Sequence, residues 1–161
     1  MSTDWFTYHY ERAEISRWKE IITKTVFCSI KHGFKPVDIT NGKKFYWKSL
    51  EDLIKEIEQN FSKYNGHIVR IGGLFGDYGL ETWVGYSLDV YFFLGGTVTE
   101  KDAISVGLQS DDERWLKSGN KAKKDFNNFL KDLEGVLGLK VIEYEAEDKK
   151  AVKIDRKGFI L

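Results

Sequence analysis

Residues 80–94 read LETWVGYSLDVYFFL, and the order of side chains in this stretch decides the fold class. Successive side chains of a strand point to opposite faces, so Leu80, Thr82, Val84, Tyr86, Leu88, Val90, Phe92 and Leu94 fall on one side. Glu81, Trp83, Gly85, Ser87, Asp89, Tyr91 and Phe93 fall on the other. The first side must be buried, and the second is of mixed chemistry. Fifteen residues exceed the usual strand of about 5 or 6, which predicts a bend near Gly85 or Ser87, or a curled strand.

Downstream, Gly95-Gly96 turns the chain into a further strand at 103–108, antiparallel to the long one. Upstream, 67–71 is a short β-like run. Gly72, Gly73, Gly76 and Gly79 then break up Leu74, Phe75, Asp77 and Tyr78, predicting a glycine-rich aromatic loop. Segments 34–40 and 43–47 flank Asn41-Gly42, the pair that best supplies the positive φ angles of a type I′ turn, so they read as a hairpin. Pro36 cannot donate to a ladder and sends its strand to a sheet edge. A last hairpin is expected from 139–145 and 151–155.

Helices punctuate these strands. Over 14–32, Ile15, Trp18, Ile22, Val26 and Ile30 recur at three- and four-residue steps, with Ile21 widening the stripe and Gly33 as the stop. Ser49 caps a second helix carrying Leu50, Leu53, Ile54, Ile57, Phe61 and Tyr64 on one face. Ser110 and Glu113 open a short turn through Leu116, Ser118-Gly119 interrupts it, and a third helix from Asn120 brings Phe126, Phe129, Leu130, Leu133, Val136 and Leu137 inward before Gly138. The order α-ββ-α-βββ-α-ββ predicts an α+β fold. Its mostly antiparallel, curled sheet of about six or seven strands packs with three helices as one domain over residues 1–161.

Composition bounds the function. A chain of 161 residues needs no covalent staple, and no window approaches the ~18 to 20 apolar residues of a membrane-spanning helix. The first residues carry no secretory signal, and Cys28 is the only cysteine, so a cytoplasmic address is expected. Twenty-five basic residues balance 25 acidic ones, leaving no overall field to draw nucleic acid. Eleven Phe, 8 Tyr and 5 Trp supply core area as readily as stacking surfaces.

No catalytic or cofactor motif is legible. His9, His32 and His67 show no His-x-x-x-His spacing, so no metal site is predicted, and His32 reads as a helix C-terminal residue. Cys28 reads as core. The glycine-rich stretch lacks the nucleotide-binding spacings and leads into a strand. Lys43 to Lys48 interleaves basic and aromatic groups as single-strand binders do, but strand alternation accounts for the same residues as an ordinary core face and solvated face. Asp77, Glu81 and Asp89 are read as solvent-face charge, because Glu81 and Asp89 lie about 26 Å apart along an extended strand.

Trp83, Tyr91 and Phe93 on the polar side of the long strand remain. Either helices also cover that face, or it is a surface of the aromatic kind found at interfaces. The expected function is therefore a non-catalytic intracellular module of inhibitor, immunity or adaptor type, binding another protein through this face and the adjoining loop. Its candidate residues are Asp77, Tyr78, Glu81, Trp83 and Tyr91, followed by Tyr46 and Lys44. A small enzyme or ligand-binding protein, with a pocket between the sheet and the first helix, is the alternative; single-stranded nucleic-acid binding is a further one.

Overall fold

Alternation and apolar periodicity build the elements of the computed structural model, which describes residues 5–32, 34–41, 50–61, 66–75, 84–95 and 101–146. They run β1 (Trp5–Tyr10), β2 (Ala13–Glu14), a 3-10 turn (Ile15–Arg17), α1 (Trp18–Lys31), β3 (Phe34–Asn41), α2 (Leu50–Gln59), β4 (Gly66–Phe75), β5 (Val84–Phe93), β6 (Ala103–Asp111), α3 (Asp112–Leu137) and β7 (Val141–Ala146). The fold is α+β, with an open antiparallel sheet and three helices among the described residues. Strand order is β3-β4-β5-β6-β1-β7, with β2 beside β6. No helix among these residues is long and apolar enough to cross a membrane.

One buried cluster joins Leu88, Val90 and Phe92 of β5, Ile104, Val106 and Leu108 of β6, and Tyr8 and Tyr10 of β1 to apolar residues of all three helices. The helices therefore share one face of the sheet. Trp18 of α1, Phe61 just beyond α2 and Phe92 meet as three rings, with centroids 5.4 to 6.1 Å apart. Tyr8 contacts Phe126 of α3, and the buried Tyr10 hydroxyl donates to Leu130 O at 3.2 Å. Burial pushes the Tyr10 phenol well above its ordinary value, with Glu134 adding to the shift.

The first helix forms as expected, but its buried face differs at the end. Ile30 is 53% exposed, while Thr25, Cys28 and Ser29 are buried. Four-residue steps overshoot a 3.6-residue turn by about 40° each, so Ile30 has swung about 120° from Trp18. The buried hydroxyls are satisfied one turn back: Thr25 Oγ1 donates to Ile21 O at 2.7 Å and Ser29 Oγ to Thr25 O at 2.9 Å.

Three further expectations are corrected. The first strand, β1, lies where no element was expected, and it pairs with both β6 and β7. Gly72 and Gly73 sit inside β4 rather than in a loop, because β3 and β5 flank them and ladder bonding on both sides outweighs their entropy. Of the long stretch, β5 pairs without a register shift through Gly85 and Ser87, residues 80–83 lie outside the described residues, and the one irregularity against β5 falls between His67 and Val69 of β4, where one residue is extra. Helix α3 runs unbroken through Ser118-Gly119, and Ser110 ends as a buried residue of β6 rather than a cap.

Segment 34–41 is a strand as expected, but its described partner is β4, and a register shift falls at Pro36. It is the last strand on its side among the described residues, where a proline is tolerated. The second halves of both expected hairpins, 43–47 and 151–155, lie outside the described residues. Gly138 closes α3 with φ +66°, its N–H donating to Glu134 O at 2.9 Å, while Arg17 Nη2 donates to Leu137 O at 2.7 Å.

Candidate functional site

Because β5 alternates, Ser87, Asp89, Tyr91 and Phe93 lie on the face opposite the helices. Register carries that face across the sheet. Arg70 stands opposite Asp89, Asp89 opposite Gly107, Gly107 opposite His9, and His9 opposite Glu143. A Cβ at Gly107 would lie 3.2 Å from His9 Nδ1 and 3.5 Å from Tyr91 Cε2. Glycine at this point lets the two rings approach each other over the backbone.

Asp89 is 1% exposed on this face, which corrects its reading as solvent-face charge. Ser87 Oγ donates to its Oδ1 at 3.2 Å. Tyr91 and Phe93 are half-buried, and the Arg12 guanidinium lies 4.0 Å from the Phe93 ring centroid. Such a cation–π contact is worth about 0.5–1 kcal/mol at an exposed site. At the far side, Thr7, His9, Ile142, Glu143, Tyr144 and Glu145 line a groove of about 500 Å³. Glu143 and Glu145 are exposed and make this border acidic.

No family model, curated protein or solved structure matches this chain.

Of the candidate residues read from the sequence, Tyr91 sits on the helix-free face. Lys44, Tyr46, Asp77, Tyr78, Glu81 and Trp83 lie outside the described residues. The described helices do not cover the Tyr91 face, which removes the helical-coverage explanation for its rings as far as those helices go. His9, Arg12 and Gly107 were not anticipated. The alternation of Tyr8 and Tyr10 with Thr7 and His9 was the available signal for β1 and for His9 on its outer side.

A second polar constellation lies between α1 and α3. Asp132 Oδ2 accepts from Lys31 Nζ at 3.1 Å, from the Cys28 thiol at 3.8 Å, and pairs with His32 Nε2 at 2.7 Å. His32 is the C-terminal cap of α1, as its position predicted, and its ring stands edge-on to Phe129. The His32 hydrogen bond, then the Lys31 one, holds the Asp132 carboxyl below its ordinary range. Burial, reinforced by the Asp132 charge, pushes the Cys28 thiol up to about 12. A thiol so placed is no nucleophile at neutral pH.

Proposed function

We propose that this chain is a non-catalytic protein-binding module of inhibitor, immunity or adaptor type, acting in the cytoplasm and docking another protein through the helix-free face of its sheet. The observation that carries this reading is an exposed Arg12 lying over half-buried Phe93, with half-buried Tyr91 on the same strand face, which no described helix covers. Tyrosine and arginine are residue types that dominate binding energy at interfaces, where rigid rings lose little entropy on burial. The acidic border at Glu143 and Glu145 favours a partner with basic groups at the matching rim.

Sequence alternation puts Glu81 and Trp83 in phase with Tyr91. The proposed surface takes in both, with Asp77 and Tyr78 beside them and Lys44 and Tyr46 as outlying contacts. Docking has better support than a ligand pocket beneath the first helix, because α1 contributes Ile21, Ile22 and Val26 to the buried core cluster.

A photo-crosslinking side chain installed at position 91 tests the reading, with the exposed helix residue Glu58 as the control position. Irradiation in native cells should give one dominant adduct from position 91 and none from 58. That adduct should disappear when Arg12→Glu is added. Equal labelling at the two positions, or an adduct indifferent to Arg12→Glu, contradicts the proposal.

A further inference from the structure

We propose that Cys28, His32 and Asp132 form a binding site for a divalent transition-metal ion of the zinc class, with three protein ligands and a fourth position open to solvent. Cys28 and His32 are one helical turn apart at i and i+4, which places both on one face of α1, and α3 brings Asp132 against them. Sulfur, imidazole nitrogen and carboxylate oxygen are the donor set that zinc takes. Their three ligand atoms lie within 4.8 Å of one another.

The geometry suits one ion. Metal–sulfur and metal–nitrogen or –oxygen bonds of about 2.3 and 2.0 Å at tetrahedral angles put S and O about 3.5 Å apart and N and O about 3.3 Å apart. The structure has 3.8 Å and 2.7 Å for these pairs. One ion closes the first pair by about 0.3 Å, opens the second by about 0.6 Å and brings Sγ and Nε2, which lie within 4.8 Å, to about 3.5 Å, so rotation of the His32 and Asp132 side chains accompanies binding.

Three donors converge on one carboxylate oxygen, and a divalent cation there would take over the charge compensation that they supply. Lys31 is the one member with no place in the site. Its side chain is 69% exposed, so it can withdraw into water. An apolar cavity of about 220 Å³, lined by Lys24, Phe27, Cys28, Lys31, Asp132 and Val136, borders two of the three ligand residues on the solvent side. On binding, the Cys28 S–H bond breaks, a sulfur–metal bond forms, and the proton passes to solvent.

The test is titration of the reduced, chelator-treated full chain with cobalt(II) chloride, followed by zinc chloride. One cobalt ion per chain should bind with a thiolate-to-metal charge-transfer band, visible bands of four-coordinate cobalt and release of one proton, and zinc should displace it. Cys28→Ser should abolish the charge-transfer band. His32→Asn and Asp132→Asn should each lower affinity by more than the about 10- to 100-fold that loss of an outer partner costs. Lys31→Ala should tighten binding several-fold, whereas a mere helix-to-helix tether gives no such gain. Should Cys28→Ser fail to fold, the His32 and Lys31 variants, both at the solvent-accessible end of α1, still decide. Absence of a charge-transfer band at millimolar cobalt, or a band unchanged in His32→Asn and Asp132→Asn, overturns the proposal.

Discussion

Phe92 and Phe93 are neighbours in sequence and lie on opposite faces of β5, so truncating each in turn tests which side the helices occupy. Phe92 is fully buried against Trp18 and Phe61. Phe92→Ala removes its transfer free energy, leaves a cavity and breaks two ring pairs, for a cost of about 3–5 kcal/mol. That is a large part of the 5–15 kcal/mol that typically holds a domain together. Phe93 is half-buried under Arg12 and gives up part of its area and one cation–π contact, so Phe93→Ala should cost about 1–2 kcal/mol. Urea unfolding followed by far-ultraviolet circular dichroism reads both. The expected result is a midpoint shift at least twice as large for Phe92→Ala, with unchanged slopes. A Phe93→Ala loss equal to or greater than that of Phe92→Ala refutes the assignment of the two faces.

Asp132 has a depressed folded-state pKa, so its contribution is present above the unfolded value of about 3.9 and is lost as pH falls through the folded one. The stability gap between wild type and Asp132→Asn, measured by urea unfolding, should be full near pH 5 and close as pH falls below about 4. With its thiol near 12, Cys28 should alkylate about 10³-fold more slowly in the native protein at pH 8 than after denaturation, as read by mass spectrometry. Gly138→Ala and Gly135→Ala should have opposite signs although neither Cβ meets an atom within 4 Å. The first places an L side chain at φ +66° and should cost about 1–2 kcal/mol, while the second improves a helical position by about 0.5–1 kcal/mol; thermal melts compare them.

The fold class was legible where pattern is local. Trp18, Ile21, Ile22 and Val26 mark α1, Leu53 and Ile57 mark α2, and Phe126 to Leu137 marks the end of α3. Each follows from one stripe facing one core. Pairing was not legible, because β1 meets β6 across about a hundred intervening residues and β7 across more, and nothing local to Trp5–Tyr10 announces it. The break expected at Ser118-Gly119 overweighted a local cost of about 1 kcal/mol against the cooperativity of a 26-residue helix.

The candidate site divides in the same way. The face carrying Tyr91 could be read from alternation, but the rings over Gly107 depend on the register of three strands. The i, i+4 spacing of Cys28 and His32 is local, but it matches neither a His–His nor a multi-cysteine pattern and points to a ligand pair only once a third donor is near. Asp132 completes the cluster from a helix a hundred residues away, which only the fold brings near.

Hydroxyl-radical footprinting, read residue by residue before and after the crosslinked partner is supplied in pure form, measures the helix-free face most directly. In the free protein Tyr91 and Phe93 should oxidise while Phe92, Phe126 and Phe129 stay protected, and adding the partner should quench Tyr91. Oxidation of Phe92 at the rate of Phe93, or Tyr91 reactivity untouched by a bound partner, would contradict the docking account.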